Sequence, residues 1–348
     1  VEETEHLYVF QRTPNYSVPA HNGPLDPEHV KSVKANYAEV RARAKTRFPG
    51  IDAEYHLRSA LDDSPEERPA IYERGWEQGG LTFNWIYNDL LKNKEANETA
   101  AVFVRDKIRS IVHDPEVAEL LAAKDYPIGT KRICVDSSYF EAFNRDNVTL
   151  VDVRDAPIEE ITETGLVTGG RSFDFDAIVF ATGFDAMTGT LLKIDIQGRG
   201  GRTLGEKWEA GPRTYLGLMS EGFPNMFMIT GPGSPSVLSN MMVSIQQHVD
   251  WVVDGVTHLA AGNLDTIEPL PEAEDAWVEH VNVVAHQTLY PQANSWYMGA
   301  NVPGKPRLFM PYIGGVGTYR EECDEIVAQG YKGFRLEAAT SPEIEAAE

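Results

Sequence analysis

The residues of this chain best suited to chemistry are cations at the ends of short apolar runs. Arg12 and Thr13 follow Leu7-Tyr8-Val9-Phe10; Pro14 then pushes Thr13 into extended geometry and ends the strand. Ligands of open α/β sheets sit at that edge. A guanidinium and a hydroxyl there suit an adenosine 2′-phosphate, and no acidic residue stands at the tip as NAD would ask, so NADP is expected. The bland alternative is a solvated strand end. Lys131 and Arg132 form a second cationic point, between Gly129-Thr130 and the strand Ile133-Cys134-Val135. Adjacent cations are surface charges by default. The functional reading gives Lys131 to the cofactor phosphate and Arg132, which never loses its charge, to an anion or a developing oxyanion.

Three further strings carry weaker signals. Gly231-Pro232-Gly233-Ser234-Pro235-Ser236 runs into a helix containing Leu238, Ser239, Asn240 and Met241. Free N–H groups and the positive dipole end at a helix start suit the electron-rich pyrimidine edge of a reduced flavin, or any anion; a Gly/Pro turn with a capped helix is the plain alternative. Ala181-Thr182-Gly183-Phe184-Asp185 follows an apolar strand, and its small residues permit close backbone approach between two cofactor-binding domains. Trp296 and Tyr297 sit in a loop-like stretch, Asn294–Lys305, where they can stack on a nicotinamide or border an apolar substrate; a Trp packed beneath a loop is the sober reading. The nine histidines form neither an HxxH pattern nor a triad, and no metal site is expected; His248 and His280 read as helix-face residues. Cys134 and Cys323 are too far apart for a CxxC pair and read as ordinary thiols.

The elements that must position these groups are short. Asp26-Pro27 reads as an N-cap and first helical residue, with Val30, Val33, Tyr37, Val40, Ala44 and Phe48 at helical spacing up to Pro49-Gly50. Ser64-Pro65-Glu66-Glu67 is a capping box before a helix near Ile71–Gln78; Leu81–Leu91 and Ala96–Val112 read as helices, and Asp114-Pro115 opens a short last one. Strand signals follow at Val148–Val153 and Ile158–Ile161, a hairpin around Gly165–Val167 and Phe173–Phe175, a buried strand at Ala177–Ala181 and another at Met226–Thr230. Long helices are expected from Ser236 to about Ala261 and over Asp275–Leu289, with a last one including Cys323–Ala328. Strands followed by Gly turns and helices imply an α/β fold with dinucleotide-type domains.

Length and composition bound the partners. A chain of 348 residues is long enough for about two domains, and 42% hydrophobic with 24% charged residues excludes wholesale disorder. The net charge of −22 argues against a nucleic-acid or anionic-membrane surface, and against that background Arg12, Lys131 and Arg132 stand out. No apolar run is long enough to span a bilayer, and no secretory signal is visible, which points to the cytoplasm. The chain opens at Val1 almost directly on a strand, and is expected to be the downstream part of a longer protein.

Taken in order, Val9–Pro14, Gly129–Arg132, Phe143–Val148, Ala181–Thr188, Gly231–Met241 and Ser295–Pro306 resemble the Baeyer–Villiger monooxygenases, the class B flavoprotein monooxygenases, over nearly the whole chain. The resemblance implies that Arg12, Thr13 and Lys131 bind the 2′-phosphate of NADPH. It makes Arg132 the catalytic arginine, which stabilises a flavin peroxide anion and positions the nicotinamide. Trp296 would contact NADP from a mobile loop. Asn240 and Met241 would meet the flavin cofactor, and Ser236, Val237, Leu238, Met242 and Tyr297 would line the substrate pocket. The implied reaction uses FAD, NADPH and O₂: a C4a-peroxyflavin attacks a small ketone, and the adduct rearranges to an ester or lactone.

Departures from the family are as informative. The chain contains no GxGxxG, no FxGxxxHxxxW/P fingerprint and no upstream aspartate to accompany the arginine, and the resemblance places all of these before Val1. It implies two Rossmann-like domains, both incomplete here: 1–25 opens a truncated NADP-binding domain, 26–130 is an all-helical insertion, 131–186 completes the NADP domain and 187–348 belongs to the FAD domain. Alone, such a chain is expected to bind FAD poorly and not to turn over. Rival readings are an N- or S-oxygenating flavin monooxygenase and a non-catalytic module of the same fold.

Overall fold

The computed structural model describes residues 3–53 and 57–338, so the last ten residues of the expected 187–348 segment lie outside it. In chain order its principal elements are β1 (Leu7–Gln11), β2 (Ser17–Pro19), α1 (Pro27–Ala35), α2 (Tyr37–Thr46), α3 (Arg68–Gln78), α4 (Lys94–Ile111), α5 (Pro115–Leu121), β3 (Cys134–Asp136) and α6 (Tyr139–Ala142). Then come β4 (Val148–Asp152), β5 (Ile158–Ile161), β6 (Gly165–Thr168), β7 (Arg171–Asp174), α7 (Gly189–Leu192), α8 (Leu204–Lys207), α9 (Met241–Gly262), β8 (Thr266–Pro269), α10 (Pro271–His286), α11 (Val316–Ala328) and β9 (Phe334–Glu337). They fall into two compact units: Val1–Pro24 with Tyr55–Phe184, and Leu25–Glu54 with Asp185–Glu348.

In the first unit two parallel pairs carry the strand ends of interest. β1 runs beside β4 with Leu7 opposite Val148 and Gln11 opposite Asp152, and β2 beside β3 with Ser17 opposite Cys134. Alternation puts Tyr8 and Phe10 on one face of β1, where they meet Phe173 and Phe175 at centroid distances of 5.2–5.8 Å. β5, β6 and β7 form an antiparallel meander; Gly169 and Gly170, both at positive φ, make the two-residue turn that joins β6 to β7. α4 starts where Asn93 accepts from the N–H groups of Glu95 and Ala96, and buries Ala96, Ala100, Val104 and Ile108 along one stripe. Ser64 and Glu67 exchange side-chain and backbone hydrogen bonds just before α3, as a capping box does.

The second unit is built on an aromatic core of Tyr215, Trp251, Trp277, Tyr319 and Phe334 with Leu216, Leu218 and Ile267. α9, α10 and α11 contribute to it, and β8 pairs antiparallel with β9 so that Glu268 faces Arg335. Glu268 is buried, receiving Arg199 Nε at 2.6 Å, Arg335 Nη2 at 2.9 Å and the Gly222 N–H at 2.9 Å. Burial opposes its ionisation, but these three donors prevail and its pKa is lowered.

Several elements differ from the pattern in the sequence. The helix expected from Pro27 to Phe48 is two, because Asn36 leaves helical geometry at φ −115°, ψ 25°. This pair belongs to the second unit, so the helical stretch expected over 26–130 is shared between the two units. Leu81–Leu91 contains only a short 3₁₀ turn at Leu81–Trp85. The expected buried strand Ala177–Ala181 is not a strand and is not buried: Val179 is 89% and Phe180 67% exposed. An apolar run becomes a strand only by pairing, and among the described residues no strand pairs with it. Met226–Thr230 is likewise irregular, held by one ladder-like bond from Met228 N–H to Leu218 O at 2.7 Å. The long helix expected from Ser236 is a 3₁₀ turn, Ser236–Leu238, a break at Ser239, then α9.

Candidate functional site: two residue clusters

In the first unit the cations come together. Arg12 and Thr13 follow β1 and are exposed, while Pro14 behind them is buried. Lys131 is half-buried with its ammonium 4.3 Å from the centre of the Tyr126 ring. Its pKa is lowered, first by burial and then by the like charge of Arg12, with Asp125 acting weakly in the other direction. A half-buried ammonium with a second cation nearby forms a place where an anion gains from both.

The loop that delivers Lys131 and Arg132 is rigidly hung. Asn97 on α4, 2% exposed, donates from Nδ2 to Leu90 O at 2.7 Å and to Ile128 O at 2.8 Å, and accepts from the Ile128 N–H at 3.0 Å. Gly129 adopts φ +83°, and a Cβ there would lie 2.7 Å from Leu91 Cδ2 and 2.9 Å from Asn84 Oδ1. Thr130 Oγ1 donates to Pro127 O at 2.6 Å. Tyr126 is buried, which pushes its phenol pKa up; the protonated hydroxyl lies 2.7 Å from Asn15 Oδ1 and 2.9 Å from Pro14 O. Asn15 Nδ2 in turn donates to Arg132 O at 2.9 Å. One chain of bonds therefore ties the segment after Thr13 to the backbone of Arg132, whose side chain is exposed. Asn97, Tyr126 and Asn15 were not evident from sequence: a buried polar residue has no distinguishing spacing.

In the second unit, the string Gly231–Ser236 folds as a tight, buried turn. Ser236, itself at φ +41°, is buried and lies 3.3 Å from Thr230 O. Asn240 caps α9 by accepting the Met242 N–H at 3.2 Å, and its own N–H donates to Pro49 O at 2.7 Å, tying the helix start to the Pro49-Gly50 turn. Val237, Leu238 and Met241 are half-buried, and Met242 is 71% exposed. Trp296 and Tyr297 stand on a 3₁₀ turn, Trp296–Met298, with ring centres 4.2 Å apart. Trp296 is half-buried, but Tyr297 is fully buried beside Tyr290 and Phe309, not open on a loop. Its backbone explains this: Tyr297 O accepts the Met310 N–H at 2.9 Å, pinning the turn to the following segment. Lys305, nearly buried, holds that segment with bonds to Asp185 Oδ1 at 2.5 Å and Ala186 O at 2.8 Å.

Among the described residues, no group of three or more His, Cys, Asp or Glu side chains is placed to hold a metal, and no helix is long and apolar enough to cross a membrane. Both cysteines are unpaired, Cys134 exposed and Cys323 buried.

Known proteins share the sequence and fold of this chain over nearly its whole length. No family model matches the chain. The acetone monooxygenase (methyl acetate-forming) of Gordonia sp. (strain TY-5) is 42% identical over 339 residues, which cover 96% of this chain and 63% of that protein. A steroid monooxygenase solved in its oxidised state with NADP bound is 52% identical, with a TM-score of 0.91 over 97% of this chain and 63% of that one. A closed crystal structure of cyclohexanone monooxygenase is 40% identical, with a TM-score of 0.94 over 97% and 64%. These likenesses define the class, the flavoprotein monooxygenases with an α/β fold. Within it, this chain belongs to the Baeyer–Villiger monooxygenases. It spans less than two thirds of the length of the relatives it matches.

Proposed function

We propose that this chain is part of an NADPH- and FAD-dependent oxygenase that inserts one atom of O₂ beside a ketone carbonyl to give an ester or lactone. The observation that carries the reading is the placement of Lys131, half-buried on the loop that Asn97 suspends, beside the exposed guanidinium-bearing Arg12 at the end of β1. In a chain of net charge −22, two cations held close on a rigid loop and a strand tip select a compact anion. With Thr13 as a hydroxyl partner, they are fitted to the 2′-phosphate that distinguishes NADPH from NADH. Arg132 carries a permanent charge on a backbone fixed by Asn15, and is fitted to stabilise the negative charge that develops on the carbonyl oxygen of the ketone.

In the second unit, Asn240, Met241 and Trp296 are the proposed cofactor contacts. Val237, Leu238 and Met242 supply apolar surface for the ketone around the buried Ser236, and Tyr297 backs Trp296 from beneath. The flavin, when bound, supplies the activation of O₂. The phosphate-cradling glycine motif of a dinucleotide site is absent from these 348 residues, and the two units are read as parts of Rossmann-like NADP- and FAD-binding domains. The two unpaired cysteines fit a reducing, cytoplasmic setting.

Titration calorimetry of this chain with 2′,5′-ADP and with 5′-AMP tests the phosphate site without requiring turnover. The first is expected to bind at least about tenfold more tightly, a difference of about 1.4 kcal/mol, and Lys131→Ala should remove most of that margin. Equal affinity for the two nucleotides would overturn the assignment. For the whole protein, ketone-stimulated NADPH oxidation yielding an ester is the matching observation.

A further inference from the structure

Two residues of the second unit hold backbone conformations that their side chains disfavour. Leu216 sits at φ +58° and Thr230 at φ +55°. For a β-branched residue such as Thr230 the left-handed region is a genuine outlier, kept only where the surroundings enforce it. The two lie in turns packed back to back: a Cβ on Gly231 would lie 2.5 Å from Gly217 O, and one on Gly217 would lie 2.4 Å from the Ser234 nitrogen.

Each strained residue is held by a side chain from a helix. His248 on α9, with none of its surface exposed, accepts the Thr230 N–H on Nδ1 at 2.8 Å. Tyr319 on α11 donates its hydroxyl to Leu216 O at 2.6 Å. The two rings meet edge to face with centres 5.6 Å apart. Burial holds the His248 pKa down at about 4, so at neutral pH the ring is uncharged. With Nδ1 accepting, the proton is on Nε2, which has no hydrogen-bond partner among the described residues. A buried imidazole with one bond, spent on the amide of a strained threonine, acts on that amide. Thr230 O is also the neighbour of the Ser236 hydroxyl at 3.3 Å, which carries the effect into the 3₁₀ turn leading to Met241 and Met242.

We propose that His248 is a positioning residue: as a neutral peg it fixes Thr230 in the left-handed conformation and thereby sets the path of the Gly231–Ser236 turn, which shapes the ketone-facing surface at Ser236–Met242. The link to the ketone rests on the function proposed above; the peg itself does not.

The test uses three substitutions at position 248 and one at 230. His248→Leu removes the acceptor, His248→Asn keeps one near the position of Nδ1, and His248→Gln moves it outward. Amide hydrogen exchange of Thr230 in this chain reads the bond directly. Exchange should accelerate by roughly tenfold or more in the Leu and Gln variants and stay within about threefold of wild type in the Asn variant. If the Leu variant does not fold, the Asn and Gln pair still decides. Exchange unchanged in the Leu variant, or equally fast in Asn and Gln, overturns the peg. In the whole oxygenase, His248→Leu should raise the ketone KM more than it lowers kcat, and adding Thr230→Gly, which is at ease at positive φ, should restore KM. Fast exchange with an unchanged KM overturns the link to the pocket and leaves the peg standing.

Discussion

Asn97 offers the sharpest test of how the cationic cluster is supported. Asn97→Leu keeps the branching of the side chain, though with bulkier methyl groups, and leaves three groups without their partners: Leu90 O, Ile128 O and the Ile128 N–H. At about 1 kcal/mol net for each bond, and more for any group that stays buried without water, the loss is at least about 3 kcal/mol. For a unit of this size that corresponds to a fall in Tm of about 6–12 °C. The assay is a urea titration followed by hydrogen exchange, read separately on peptides from Lys94–Ile111 and from Met241–Gly262. Only the first set should lose protection early. The affinity for 2′,5′-ADP should fall with it although Asn97 touches no ligand, because Lys131 rides on the loop that Asn97 suspends. A loss below about 1 kcal/mol would refute the view that this side chain carries the loop.

Two further perturbations follow. Gly129→Ala places a methyl group at φ +83° against Leu91 and Asn84, and should cost about 2 kcal/mol or more by thermal unfolding; a neutral effect would show that the loop can shift. Glu268→Gln removes the buried carboxylate of a network in which the half-exposed Arg199 and Arg335 also meet Glu337, and should cost about 1 kcal/mol at pH 7. Because the pKa of Glu268 is lowered on folding, its contribution is present above the unfolded value, about 4.3, and is lost as pH falls through the folded value. Wild type and variant should therefore converge in Tm on acidification, and a constant gap down to pH 2 would count against the ion pairs as its source.

What could be read from the sequence was what local chemistry decides. Asp26, Ser64 with Glu67 and Asp114 announce helix starts because a cap acts over three residues, and each is found capping. The hairpin around Gly165–Val167 and Phe173–Phe175 was legible as well, and the structure turns it at Gly169-Gly170. Pairing across the chain was not legible: nothing near Leu7 specifies a partner at Val148. Ala177–Ala181 misleads because apolar side chains signal that a segment seeks cover, not that cover is present. At the site, Arg12, Lys131 and Arg132 stood out by charge contrast alone. Asn97, Tyr126 and His248 did not, since the roles of buried polar groups depend on partners distant in sequence.

The uncovered run at Ile178, Val179 and Phe180 has a bearing on how this polypeptide behaves in a tube. Exposed apolar side chains on a segment that pairs with no strand among the described residues are the kind of surface on which chains associate edge to edge. What keeps molecules apart is the −22 charge, a repulsion that works across a Debye length and no further. Salt shortens that distance, and salts excluded from the protein surface strengthen apolar association as well. Colloidal stability of this chain is thus a contest between a long-range repulsion that salt weakens and a short-range attraction that excluded salts strengthen, with dilute, low-salt solution as the favourable side.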